Sequence, residues 1–222
     1  MRPVPERALA LASAALVVMG SGAGLFATQT QPDRFLLACS AFPPTTTDAD
    51  LRARFGSENV SVESVADPNG AEGDMTEGTV LFAKDATARL EISWRDATEK
   101  RRPSVISRLA SRGRWHTPSG ITLGTNLKAI EKLNGRPFRL AGLAFDLQGT
   151  VMSWRGGRLQ AEDTEDCHLG VRLRVESAGT RATVELEKQV MGDGEFSSGH
   201  PAMQALNPTV YELRLWYGRR PG

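Results

Sequence analysis

Residues 117–159, TPSGITLGTNLKAIEKLNGRPFRLAGLAFDLQGTVMSWRGGRL, decide the fold. Thr125 is placed to cap a helix in which Leu127, Ile130 and Leu133 recur at three-residue spacing, leaving Lys128, Glu131 and Lys132 to solvent. Asn134-Gly135 ends that helix, because glycine takes the left-handed backbone of a C-cap and Pro137 cannot extend it. From Pro137 the chain runs extended. Phe138 and Leu140 flank Arg139, and after a loop over 141–148 the run Gly149 to Trp154 has the period of a strand. Gly156-Gly157 reads as a hairpin turn into a further strand beginning Arg158-Leu159.

A looser copy of this order lies upstream. Thr47 and Asp50 have capping-box spacing and open a helix with Leu51 and Phe55 on one face, stopped by Gly56. Val60, Val62 and Val65 then mark a strand, residues 67–77 a loop turning at Pro68-Asn69-Gly70, and Gly78-Thr79-Val80-Leu81-Phe82 and Arg89 to Trp94 two more strands. Gly78-Thr79-Val80 matches Gly149-Thr150-Val151, and Arg89-Leu90 matches Arg158-Leu159. One helix and three strands make too small a core, whereas two such units sharing a sheet do not. The expectation is an α+β fold: two degenerate helix-plus-meander units, 47–116 and 117–222, forming a mainly antiparallel sheet with short helices on one face. Val105 to Leu109 adds a strand after the charged loop 96–103, and Leu169, Val171, Leu173 and Val175 alternate with Arg172 and Arg174 in another. Residues 183–190 read as a strand, 201–206 as one helical turn and 210–217 as the closing strand.

Residues 1–27 have the layout of a secretory signal, with Arg2 and Arg7 ahead of an Ala/Leu/Val-rich run and then Ser21-Gly22-Ala23. An uncleaved anchor over Ala8 to Ala27 is the competing reading, and its Gly- and Ala-rich second half favours cleavage. Residues 28–46 read as a linker, stiffened by Phe42-Pro43-Pro44. Removal of the leader leaves roughly 195 residues, enough to bury a core. Twenty-seven Lys and Arg against 26 Asp and Glu leave no field to recruit nucleic acid. Cys39 and Cys167 form an even pair, which in an oxidising compartment implies one disulfide. Leu36-Leu37-Ala38-Cys39 also has the outline of a lipobox, but Asp33 and Arg34 separate it from the apolar run.

At LNGRPF (133–138), GTVMSW (149–154) and GGRL (156–159), with DLRARFG (50–56), GTVLF (78–82) and RLEISW (89–94), the chain resembles a family of uncharacterised exported bacterial proteins. The resemblance covers most of 47–217 and implies export and architecture rather than an activity. The family carries a form like GFGWDYGG over 142–149. Here Phe145 stands for its tryptophan, Leu147 for its tyrosine and Gln148 for a glycine, so the aromatic surface of that loop is reduced. More distantly, the tandem order looks like β-lactamase-inhibitor-type proteins and small outer-membrane assembly lipoproteins, which bind other proteins; that is fold-level analogy.

His116, His168 and His200 have no partner at metal or triad spacing, and no Gly-x-Ser-x-Gly elbow occurs. His168, beside Asp166 and near Glu162, Asp163 and Glu165, reads as part of a solvated loop rather than a zinc site. Asp146 is placed either as a general base or ligand contact or as the residue that holds its own turn. Trp94, Trp115, Trp154 and Trp216 fall at strand ends, where they either fill the core, the reading preferred for Trp94 and Trp154, or anchor a protein-binding face. No metal or cofactor is expected. The expected function is a non-catalytic binding module, exported to the periplasm, envelope or medium, engaging another envelope or extracellular protein through the tryptophans, Phe145 and Asp146. The alternatives are a hydrolase-like enzyme using Asp146 with a histidine, and a structural envelope protein.

Overall fold

A computed structural model describes residues 33–71, 73–176, 179–192 and 194–218, so the leader expected over 1–27 lies outside the described residues. Helix α1 (Asp48–Phe55) starts where the capping box requires: Thr47 accepts from the Asp50 amide while the Asp50 carboxylate accepts from the Thr47 amide at 2.9 Å. Strands β1 (Val60–Ala66), β2 (Met75–Leu81), β3 (Leu90–Asp96) and β4 (Arg101–Leu109) follow as an antiparallel meander. Helix α2 (Leu127–Asn134) buries Leu127 and Ile130 and ends at Gly135 in left-handed backbone, but its cap is Asn126, which accepts from the Ala129 amide. Thr125 instead holds the preceding turn by accepting from the Thr122 amide.

The rest of the chain gives β5 (Arg139–Ala141), β6 (Val151–Ser153), β7 (Cys167–Arg174), α3 (Arg181–Lys188), β8 (Glu195–Ser197), α4 (Pro201–Leu206) and β9 (Thr209–Tyr217). Six strands form one antiparallel sheet in the order β1-β2-β3-β4-β9-β7, and three form a second in the order β6-β5-β8. The fold is therefore α+β, as expected. The sharing of a sheet differs from expectation. All the upstream unit's strands lie in the large sheet, whereas β5 and β6 pair with β8 and only β7 and β9 join the large one.

Two local differences have clear causes. Residues 158–162 form a 3₁₀ turn rather than a strand, because the Arg158 guanidinium donates back to the Leu133 and Lys132 carbonyls at the end of α2, at 2.9 and 2.8 Å. Residues 181–188 are helical, not extended. Thr180 accepts from the Thr183 amide and starts a turn that Glu185 to Lys188 favour, so the expected strand over 183–190 is replaced by a helix in which Leu186 packs against the core and Val184 is exposed.

Alternate residues Leu90, Ile92, Trp94, Ile106, Leu213, Leu215, Leu169, Val171 and Leu173 of the large sheet share one core with Leu51 and Phe55 of α1 and Leu127 and Ile130 of α2. Residues 33–46 belong to that core and are not a linker. Leu37 and Phe42 are fully buried, Leu37 donates to the His116 carbonyl at 2.8 Å, and the buried Tyr217 hydroxyl donates to the Phe42 carbonyl at 2.7 Å. Burial pushes the Tyr217 hydroxyl above its ordinary pKa. Cys39 and Cys167 are disulfide-bonded across 128 residues of sequence, which leaves no Cys39 thiol for lipidation and, in the chain-entropy model, is worth about 4–5 kcal/mol. The bond is compatible with export. No described helix is long and apolar enough to cross a membrane.

Asn134, buried at the end of α2, ties three segments together. Its amide nitrogen donates to the Arg136 carbonyl (2.9 Å) and the Trp154 carbonyl (3.0 Å), and its oxygen accepts from the Leu159 amide (3.3 Å). Asn134→Ala is expected to cost about 3 kcal/mol or more, because it strands backbone groups inside the molecule, and the check is the urea midpoint at unchanged m-value.

Acid will act through a few carboxylates. Asp50 is held below its ordinary pKa by the Thr47 hydroxyl and amide, Asp85 by the Thr87 hydroxyl and amide, Asp96 by the Glu99 amide and then Arg101, and Glu63 by the Ser61 hydroxyl and then Arg89. Depressed folded values contribute stability that is complete above the unfolded range, about pH 4, and is lost as pH falls through the folded values. The urea midpoint is accordingly expected to be flat from pH 7 to 5.5 and to fall below pH 4.5, with a shallower fall in Asp50→Asn.

Candidate functional site

Three of the four tryptophans are inside. Trp115 is fully buried among Phe35, Phe42, Phe55 and Phe82, with ring centroids 5.4–6.4 Å away, and its indole N–H donates to the Ala88 carbonyl. Trp94 is buried and donates to the Thr79 hydroxyl at 3.0 Å, and that hydroxyl donates on to Asp48 at 2.8 Å. Trp154 is buried against Phe138 at 5.4 Å. None of these can serve as a surface anchor, because each is the large apolar side chain that its part of the core closes on. Trp216 alone is half-buried. It lies in register with Val105 and His168 on the face of the large sheet opposite the core, its ring 5.6 Å from the imidazole. The anchor set of four does not exist.

The hydrolase constellation is not assembled either. His116 sits 2.9 Å from the Asp33 carboxylate, His168 Nε2 is 3.1 Å from the Gly218 carbonyl, and His200 accepts from the Ala202 amide as the cap of α4. Among the described residues no hydrogen bond or ion pair joins Asp146 to a histidine, and no three His, Cys, Asp or Glu side chains converge as a metal site.

The loop 142–149 between β5 and β6 is different. Phe145 is 65 % exposed and Leu147 53 %, with Asp146 exposed between them, while Leu143 is buried below. Phe145 has φ +65°, a left-handed conformation that costs a bulky residue about 1 kcal/mol or more and that nothing in its own burial repays.

The loop is nevertheless tightly fixed. Gln148 donates to the Phe145 carbonyl and Thr150 to the Leu147 carbonyl, closing two turns at 3.0 and 2.9 Å. Leu143 donates to Val190 and Gly142 to Gly194, fastening the base to the segment before β8. Arg172 reaches across from β7. Its Nη2 donates to the Asp146 carbonyl at 2.7 Å and its Nε to the Gln148 carbonyl at 3.3 Å, while Glu212 holds its third nitrogen at 3.3 Å. Both bounding glycines are required by close approach: a side chain at Gly149, which has φ +61°, would lie 1.8 Å from the Leu173 carbonyl oxygen, and one at Gly142 would lie 2.3 Å from that of Gly192. Asp146 thus contributes its backbone to the clamp and leaves its carboxylate outward.

The sequence points to Phe145 and Asp146 but not to Arg172, which reads only as the polar half of an alternating strand. Its reach to a loop 26 residues away leaves no periodic signal. Comparison with protein-family models, with curated proteins and with solved structures finds no match.

Arg172→Met is expected to release the loop without unfolding the sheet, since Glu212 keeps its pairing with Arg214 at 3.1 Å. Amide exchange at Gln148 and Thr150 should rise by roughly tenfold or more while exchange in β3 and β4 is unchanged.

Proposed function

We infer that this is an exported, non-catalytic binding module that engages another protein of the envelope or extracellular space through the loop 142–149. The observation that carries the reading is the combination at Phe145: a large aromatic side chain two-thirds in solvent, in unfavourable backbone, on a loop that long-range bonds hold rigid. Strain and exposure that do nothing for the fold are retained where the presented surface itself is used. A fixed display of Phe145 and Leu147 also loses little conformational entropy on binding, so the buried apolar area is available as affinity. Asp146 between them supplies the polar contact that sets orientation. The resemblance to exported bacterial proteins, together with the disulfide, supports the compartment.

The test is affinity capture from the protein's own envelope fraction with the mature chain and with a Phe145→Ser/Leu147→Ser double variant. One stoichiometric partner retained by the parent and lost from the variant, at an unchanged thermal midpoint, is the expected result. A partner held equally by both, or none held by the parent, overturns the reading.

A further inference from the structure

At the opposite end of the β5–β6 hairpin lies an open groove of about 750 Å³, lined by Arg136, Pro137, Phe138, Arg139, Arg155, Glu195 and Ser197. Its lining carries three guanidinium groups and one carboxylate, formally +2, on a chain whose whole formal charge is +1. Strand register places two of the lining residues, Arg139 and Ser197, side by side. Ser153, Arg139 and Ser197 are directly paired across β6, β5 and β8, so they form one transverse row on one face of the small sheet.

The three arginines differ in what they already hold. Arg139 is committed in part, with Nε 3.4 Å from the Glu195 carboxylate and Nη2 donating to the Glu195 carbonyl at 3.2 Å. Arg136 spends one nitrogen on the Arg155 carbonyl at 2.9 Å. Neither Arg136 nor Arg155 has a carboxylate partner among the described residues, and both are exposed. Arg155 also sits at φ +57°, its amide held by the Ser153 hydroxyl at 3.2 Å. The backbones that carry these two side chains are fixed from beneath, because Asn134 binds the Arg136 carbonyl and the carbonyl of Trp154, next to Arg155. Three guanidinium groups thus line one concavity with too little carboxylate to neutralise them.

We propose that this groove is a binding site for an acidic peptide segment, in which Arg136 and Arg155 take the ligand's carboxylates while Ser197 and Glu195 meet its amide N–H groups. Guanidinium forks match planar carboxylates bidentately. Glu195 gives the ligand its class. A carboxylate on the wall repels a densely charged anion such as a polyphosphate, yet it is a good acceptor for the N–H groups of a peptide, and its loose bond to Arg139 can open as a carboxylate of the ligand takes its place. The site is separate from the loop at 142–149 and does not depend on it.

The experiment is fluorescence anisotropy of the full-length protein with a labelled Glu-Ser-Glu-Ser-Glu peptide and with its Gln-Ser-Gln-Ser-Gln counterpart, with inorganic phosphate as competitor. The acidic peptide is expected to bind roughly tenfold or more tightly than the neutral one, with affinity falling as salt rises. Arg155→Glu should abolish that preference at an unchanged thermal midpoint, because the Arg155 side chain makes no bond within the protein among the described residues, whereas the Phe145→Ser/Leu147→Ser variant should retain it. Equal binding of the two peptides, an Arg155→Glu variant that still prefers the acidic one, or phosphate competing at the concentration of the peptide itself overturns the assignment.

Discussion

The downstream half of the molecule rests on one buried carboxamide. Asn134 offers two donors and an acceptor, and it meets the Arg136 carbonyl, the Trp154 carbonyl and the Leu159 amide, groups that would otherwise be unpaired where α2, β5, β6 and the 3₁₀ turn converge. Each bond is modest by itself; leaving any of them unmade inside the protein is costly. The amide therefore works as a geometric specification: only one mutual placement of the three segments satisfies it. Phe138 and Trp154 pack against each other beside this junction, their rings tilted with centroids 5.4 Å apart, and Arg158 seals the end of α2. The LNGRPF, GTVMSW and GGRL blocks belong together because they are the three parties to this junction.

The upstream half depends on aromatic packing instead. Trp115 gathers four phenylalanines from the segment before α1, from α1 itself and from the residue after β2. Without residues 33–46 the core beneath β3 and β4 would be open on one side, and the disulfide keeps that segment in place against β7, the far edge of the large sheet. The two halves are thus held together by different means, one by a polar tie and one by rings.

Much of this was legible in the residues. Capping-box spacing located α1, Gly135 located the end of α2, and alternation located β1, β3, β7 and β9, since all of these are set by neighbours in sequence. What could not be read was set by partners far away. The partition of strands between two sheets follows from β9 lying between β4 and β7, and β8 is too short for its three residues to show a period. The tryptophans illustrate the same limit: their positions at strand ends are visible, but the side of the sheet they occupy depends on register. Phe145 and Asp146 were picked out by the loop that holds them, whereas Arg172, which fixes that loop, and the groove arginines, which neighbour one another only through β5–β6 and β5–β8 pairing, were not.

The strand order also divides local from distant pairing. β1, β2 and β3 each pair with the next strand in sequence, so the β1–β4 meander consists of local hairpins. β7 is placed differently, because its partner in the sheet is β9, the last strand in chain order, which lies between β7 and β4. The disulfide therefore closes a circuit in the finished fold: it fastens the segment before α1 to an edge strand that the sheet holds through the last strand of the chain, so the two ends of the described chain brace each other.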